Sequence, residues 1–166
     1  MSFAVLIYLE RAGRHKNPLP SLAGDEFVGN KLLIVEDNVM VREMFAIALS
    51  EAGFSVITAD DGYAGLDRAR AERPDLILTD VEMPNLDGIQ MIQRLRLEPE
   101  LQCTPVLVLS ALHTSVLTQA VAAGASEVVQ KPVEIMSLIK MVRQILGAAV
   151  PDNGRALNAY PQRKPI

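Results

Sequence analysis

Short apolar runs alternate with amphipathic stretches along most of this chain. Lys31-Leu-Leu-Ile-Val35 is apolar without the every-other-residue break of a half-exposed strand, so a strand covered on both faces is expected. Asn38 is placed to cap a following helix, whose inward stripe is Val41, Met44, Phe45, Ala48 and Leu49. Gly53 closes that helix. The same unit then recurs. Strands are predicted over Phe54–Ala59, Asp75–Thr79, Pro105–Leu109 and Glu127–Gln130. Helices are predicted over Tyr63–Glu72, Leu86–Leu97, Leu112–Ala123 (closed by Gly124) and Val133–Leu146. Five strands alternating with five helices imply right-handed crossovers, hence an α/β fold: a doubly wound (βα)5 five-stranded parallel sheet.

The flanks read differently. Residues 10–30 are polar and punctuated by Pro18, Pro20, Gly24 and Gly29, and residues 147–166 carry Pro151, Gly154, Pro161 and Pro165. Residues 1–30 are therefore expected to be a flexible N-terminal extension, 31–146 the folded domain and 147–166 a disordered tail. The apolar stretch Phe3–Leu9 lacks a basic lead-in and a small-residue cleavage site, so neither a signal peptide nor an anchor is expected.

Composition adds limits. With 166 residues, 49% hydrophobic and 22% charged, the chain suits one domain with a proper core; at 4% aromatic, that core must be aliphatic. A net charge of −4 argues against a nucleic-acid surface. No apolar run is long enough to span a membrane. A lone Cys103 cannot form an internal disulfide, which fits a cytoplasmic location.

Chemistry gathers at the strand ends. Ligands of open parallel sheets bind beyond the carboxyl ends of the strands. Here the first predicted strand ends in Glu36-Asp37, the third in Asp80, the fourth in Ser110 and the fifth in Lys131. Taken singly, an acid pair is a solvated turn, Ser110 a helix N-cap and Lys131-Pro132 a helix entry. Taken together, the topology brings them all to one edge. Carboxylates about 4 Å apart repel by about 4 kcal/mol at an effective dielectric near 20, so the set demands a cation. Oxygen-only ligands suit a hard ion such as Mg2+. Asp37 and Asp80 can hold it, Asp80 can act as nucleophile toward a phosphoryl group, and Lys131 and Ser110 can engage phosphoryl oxygens.

The motifs Leu33-Ile-Val-Glu-Asp-Asn38, Asp75-Leu-Ile-Leu-Thr-Asp-Val-Glu-Met-Pro84 with Asp87-Gly88, Pro105-Val-Leu-Val-Leu-Ser-Ala111, and Gly124-Ala125 leading to Lys131-Pro132 occur in that order. From Lys31 to Leu146 the chain resembles the CheY-like (flavodoxin-like) receiver domain of two-component response regulators. The resemblance implies that Asp80 is phosphorylated by a histidine kinase or histidine phosphotransfer protein. It implies that Asp37, Asp80 and the Glu82 main-chain carbonyl bind Mg2+, with Glu36 acting through water. Ser110 would be the switch hydroxyl, Ala111 the small residue beside it and Lys131 the phosphoryl-pairing lysine. The family usually has Tyr or Phe where this chain has Val128, which puts the aromatic half of its switch in doubt but not its chemistry.

With no effector domain expected after Leu146, output is expected from a surface read by a downstream protein whose identity the residues do not reveal. The last helix points Ile135, Leu138, Val142 and Ile145 inward, while Met136 and Met141 fall off that stripe. These methionines are either scattered surface hydrophobes or part of a partner or homodimer face over 112–146. His15, in the linker, is expected to be solvated, and His113 and Tyr63 to be surface residues. The leading reading is a cytoplasmic stand-alone signalling module, not an enzyme beyond its own phosphorylation and dephosphorylation. The alternatives are a phosphohydrolase or phosphotransferase acting on external substrates through Asp80, and a scaffold that is never phosphorylated.

Overall fold

The computed structural model describes residues 29–111 and 114–147. The expected extension over 1–28 and tail over 148–166, with His15, Leu112 and His113, lie outside the described residues. In chain order the elements are β1 (Lys31–Val35), α1 (Val39–Glu51), β2 (Ser55–Ala59), α2 (Gly62–Glu72), β3 (Leu76–Asp80), α3 (Gly88–Arg96), β4 (Val106–Ser110), α4 (Thr114–Ala123), β5 (Glu127–Gln130) and α5 (Ile135–Ile145). The five strands pair in parallel in the order β2-β1-β3-β4-β5. This is the expected doubly wound sheet. Its order reverses between β1 and β3, so the crevice for a ligand opens over the carboxyl ends of those two strands.

The apolar runs of the central strands are split between two cores by the period-two geometry of a strand. Leu32, Ile34, Leu76, Leu78, Leu107 and Leu109 face α1 and α5, meeting Phe45, Leu49, Leu138 and Val142. Leu33, Val35, Ile77, Val106 and Val108 face the other way, against Leu66 and Ala69 of α2, Met91 and Ile92 of α3 and Ala120 of α4. Burying both faces leaves no polar position inside β1 or β4, which is why these strands read as continuous apolar runs. β2 and β5, at the edges, are only partly covered.

Caps set the helix limits. Asn38 Oδ1 accepts from the Met40 and Val41 amides and starts α1. Gly53, at φ +95, lies just past its end, where the Phe54 amide donates back to the Leu49 carbonyl. Several boundaries differ from expectation. α3 starts at Gly88 rather than Leu86, because Asp87 takes the cap by accepting from the Gln90 amide and Leu86 is buried from within the preceding loop. α5 starts at Ile135, after Pro132 and the cap position Glu134. β3 and β4 each begin one residue later than expected and run on through Asp80 and Ser110. Ser110 is therefore a buried strand terminus rather than a helix N-cap.

On α5 the inward face is Leu138, Ile139 and Val142, with Ile135 and Ile145 packed at its margin. Met141 also packs, partly buried, against this core, so the expectation that it shares an outward face with Met136 is corrected: the helix buries a wider stripe than its spacing alone implied. Met136 does stand in solvent, 54% exposed.

Candidate functional site

Parallel registers bring the strand ends to one level. Val35 pairs with Thr79, Asp80 with Leu109 and Ser110 with Gln130. The residues that follow or end these strands are thus the ones the sequence marked. Glu36, Asp37 and Asp80 each present a carboxylate oxygen within 4.8 Å of the others. Lys131 reaches the same point from the end of β5, its backbone amide donating to the Ser110 carbonyl at 2.7 Å. Its ammonium sits between two acids, 2.9 Å from Glu36 Oε2 and 2.8 Å from Asp80 Oδ2.

These contacts are sheltered. The side chains of Glu36, Asp80 and Lys131 are 4%, 12% and 26% exposed, whereas Asp37 is exposed. Burial pushes the Glu36 carboxyl above its ordinary range, against the lowering pull of the Lys131 contact. Burial also works against the Lys131 ammonium, but its hydrogen bonds and charge pairing with Asp80 and Glu36 outweigh it and raise its pKa. The remaining carboxylate oxygens are engaged by backbone: Asp80 Oδ1 accepts from the Val81 amide at 2.7 Å, and Glu36 Oε1 from the Asn38 amide at 3.3 Å.

Three carboxylates against one ammonium leave a formal surplus of two negative charges (−3 + 1 = −2). An all-oxygen donor set of that charge fits a hard divalent cation such as Mg2+. The loop after Asp80 is held by its own main-chain hydrogen bonds. Its Val81 carbonyl accepts from the Met83 and Gly88 amides and its Pro84 carbonyl from the Leu86 amide. The Glu82 carbonyl, between them, accepts from no residue among those described.

Four residues that hold this site carried no role in the sequence reading. Arg42, one turn into α1, donates to the main-chain carbonyls of Glu36 at 2.6 Å and Asp37 at 3.3 Å, fixing the acidic turn from outside. Gly88 lies so close to the Asp80 carbonyl oxygen that a Cβ there would clash with it. A glycine at the first position of a helix was the available signal, since it favours neither capping nor helix propagation. Asp61 and Asn85 join α2 to the loop after Asp80, as described below.

The other expected residues fall as follows. Ala111 is exposed at the end of β4, and Val128 is half-buried in β5, packed against the same core that Val116 of α4 flanks. The Glu82 side chain points to solvent. Tyr63 is an exposed helix-face residue with the Arg94 guanidinium 5.1 Å from its ring centroid.

The model of the response regulator receiver domain matches residues 32–143, and the chain belongs to that family. Receiver domains interact with histidine kinases or phosphotransfer proteins and typically bind Mg2+ at an acidic site. Over 116 residues the chain is 39% identical to the transcriptional regulatory protein CseB of Streptomyces coelicolor, a match covering 69% of this chain and 48% of that one. It thus spans about half the length of the curated relatives it matches. Chemotaxis protein CheY4 of Vibrio cholerae superposes with a TM-score of 0.68 at 30% identity, over 70% of this chain and 98% of that one. The receiver domain of a Pseudomonas aeruginosa sensor histidine kinase, solved with a magnesium ion coordinated in its active site cleft, gives 0.67 at 26% identity, over 72% and 98%. No helix among the described residues is long and apolar enough to cross a membrane.

Proposed function

We propose that Asp80 accepts a phosphoryl group from a histidine kinase or histidine phosphotransfer protein, and that the aspartyl phosphate repositions the face formed by α4, β5 and α5. The observation that carries this reading is the Lys131 ammonium bridging Glu36 and Asp80 within a cluster of three carboxylates. This ammonium offsets part of the cluster's negative charge, and it is placed to pair with a phosphoryl oxygen once Asp80 is modified.

Asp37, Asp80 and the Glu82 carbonyl would hold Mg2+, with Glu36 engaged through water. When bound, the cation neutralises pocket and phosphoryl charge together. In the transfer itself an Asp80 carboxylate oxygen forms the new bond to phosphorus as the phosphorus–nitrogen bond of the donor histidine breaks, the electron pair leaving with the imidazole. Lys131 then exchanges a carboxylate partner for a phosphoryl oxygen. The buried Ser110 hydroxyl, at the end of the neighbouring strand, donates to another. The resulting pull on β4 and β5 reaches the surface through Val128 and α4. Catalysis is confined to the chain's own phosphorylation and dephosphorylation. The domain's output is read from its own helical face by a downstream protein or a second copy. The longer relatives bear on the domain alone and not on what a whole regulator carries.

Intact mass after incubation with a small phosphodonor and Mg2+ tests the chemistry. One added phosphate is expected in the native protein and none in Asp80→Asn or with the metal chelated. No adduct from either a small donor or a kinase would overturn the proposal.

A further inference from the structure

The loop from Val81 to Asp87 connects the phosphoacceptor to the cap of α3. Its ends are closed by the Gly88 amide donating to the Val81 carbonyl at 3.0 Å. Its tip is held by something else. Asn85 is one of two non-glycine residues with positive φ among those described, at +67. From that left-handed position its Nδ2 donates to Asp61 Oδ2 at 2.9 Å, a bond between residues 24 apart in sequence. Asp61 is the cap of α2, and its other oxygen, Oδ1, accepts from the Ala64 amide at 2.8 Å. One carboxylate therefore fastens the loop tip to the start of a helix that is itself packed on the core through Leu66 and Ala69. Beside it, Gly62 is in backbone contact with the Leu86 carbonyl, where any Cβ would clash. The two hydrogen bonds hold the Asp61 carboxyl below its ordinary range, the Ala64 amide contributing most and Asn85 next.

Asn tolerates the left-handed region better than other side chains, yet the conformation still carries strain unless its surroundings determine it. Here the determinant is visible, and it lies outside the acidic pocket. Glu82 directly follows Val81 at the closed end of the loop, three residues before the fastened tip. Its carbonyl shares a peptide plane with the Met83 amide, which donates to the Val81 carbonyl at 3.2 Å, so its direction follows from how that turn is held between the closed loop ends and the fastened tip. We infer that Asp61 and Asn85 form a positioning pair that presets the Glu82 carbonyl for a divalent cation. This rests on the proposed Mg2+ site and adds to it two residues that touch neither metal nor phosphate.

The pair can be broken and rebuilt. Asn85→Gly keeps the left-handed backbone and removes the bond; Asn85→Asp keeps a residue that suits the position and sets two carboxylates against each other. The double variant D61N/N85D restores one hydrogen bond with its direction reversed, both new residues suiting their positions. Mg2+ affinity, measured by calorimetry on the otherwise unmodified chain, should weaken about tenfold in each single variant and recover in the double. Amide hydrogen exchange without added metal should quicken across Val81–Leu86 in the single variants and slow again in the double, with β1, β3 and β4 unchanged. Native affinity in both single variants would overturn the positioning role while leaving the metal site intact. A native chain that binds no Mg2+ would overturn the site reading itself, and the inference with it. Weakened affinity that the double variant does not rescue would assign the effect to helix capping or backbone strain and sink the pair.

Discussion

The pocket end of the sheet and its β5–α4 flank are built by different means. At the ends of β1 and β3, Glu36, Asp80 and Lys131 are tied to one another and to backbone amides at 2.7 to 3.3 Å, and Arg42 and Gly88 brace the turns on which they stand. Along the flank, Val128, Ala125 and Val116 are half-buried and touch the core at its margin, while Leu117, Val121 and Met136 stand in solvent. Directional contacts fix atoms to within tenths of an ångström; marginal apolar packing permits several near-equal arrangements. The contrast suits a module whose chemistry must stay in register while its reading surface shifts.

The largest effect is expected from Gly88→Ala. The added methyl must push the Asp80 backbone aside, so a loss of about 3 kcal/mol in urea unfolding is expected, together with slowed phosphorylation. A native-like result would show that the pocket is as tolerant as the flank. Next comes Lys131→Met, which leaves two sheltered carboxylates facing each other. Phosphorylation should fall steeply, and thermal stability should come to depend more strongly on Mg2+, which then supplies the missing positive charge. The pH profile gives a sign to check. A raised lysine pKa contributes stability that is complete below the ordinary lysine value and fades as pH climbs through the raised one. Native protein should show that alkaline decline, and Lys131→Met should lack it.

On the flank, Val128→Ala should cost only about 1 kcal/mol, because the side chain is only partly buried at the margin of the core. Phosphorylation by a small donor should be unaffected. Met136→Glu is expected to change stability by less than about 0.5 kcal/mol. Sedimentation of the phosphorylated protein would show whether it abolishes self-association; an unchanged oligomer would exclude that position from any dimer face.

The pocket was largely legible in the sequence because its residues lie directly after continuous apolar strands, where topology alone determines their meeting point. Glu36, Asp37, Asp80, Ser110 and Lys131 needed only the strand ends and the order of a parallel sheet. What stayed hidden depends on how the chain returns between elements. Leu86 read as the start of a helix because it is apolar, yet it fills the core from a loop. Met141 read as outward because helical spacing places it off the stripe, whereas it packs, partly buried, at the margin of the core. Arg42 and the Asp61–Asn85 pair act through main-chain atoms or across 24 residues, and neither kind of contact leaves a periodic trace.

The registers Val35–Thr79 and Asp80–Leu109 set how this domain can diverge. Deleting one residue within Leu76–Thr79 would draw Asp80 into the register of Thr79 and turn its carboxylate to the opposite face of the sheet. Lengthening the chain at exposed Pro99–Glu100, by contrast, would move no strand end. Substitution and loop growth are therefore open routes of change for this sheet, while a single codon lost from β3 takes the Asp80 carboxylate out of the pocket without altering its identity.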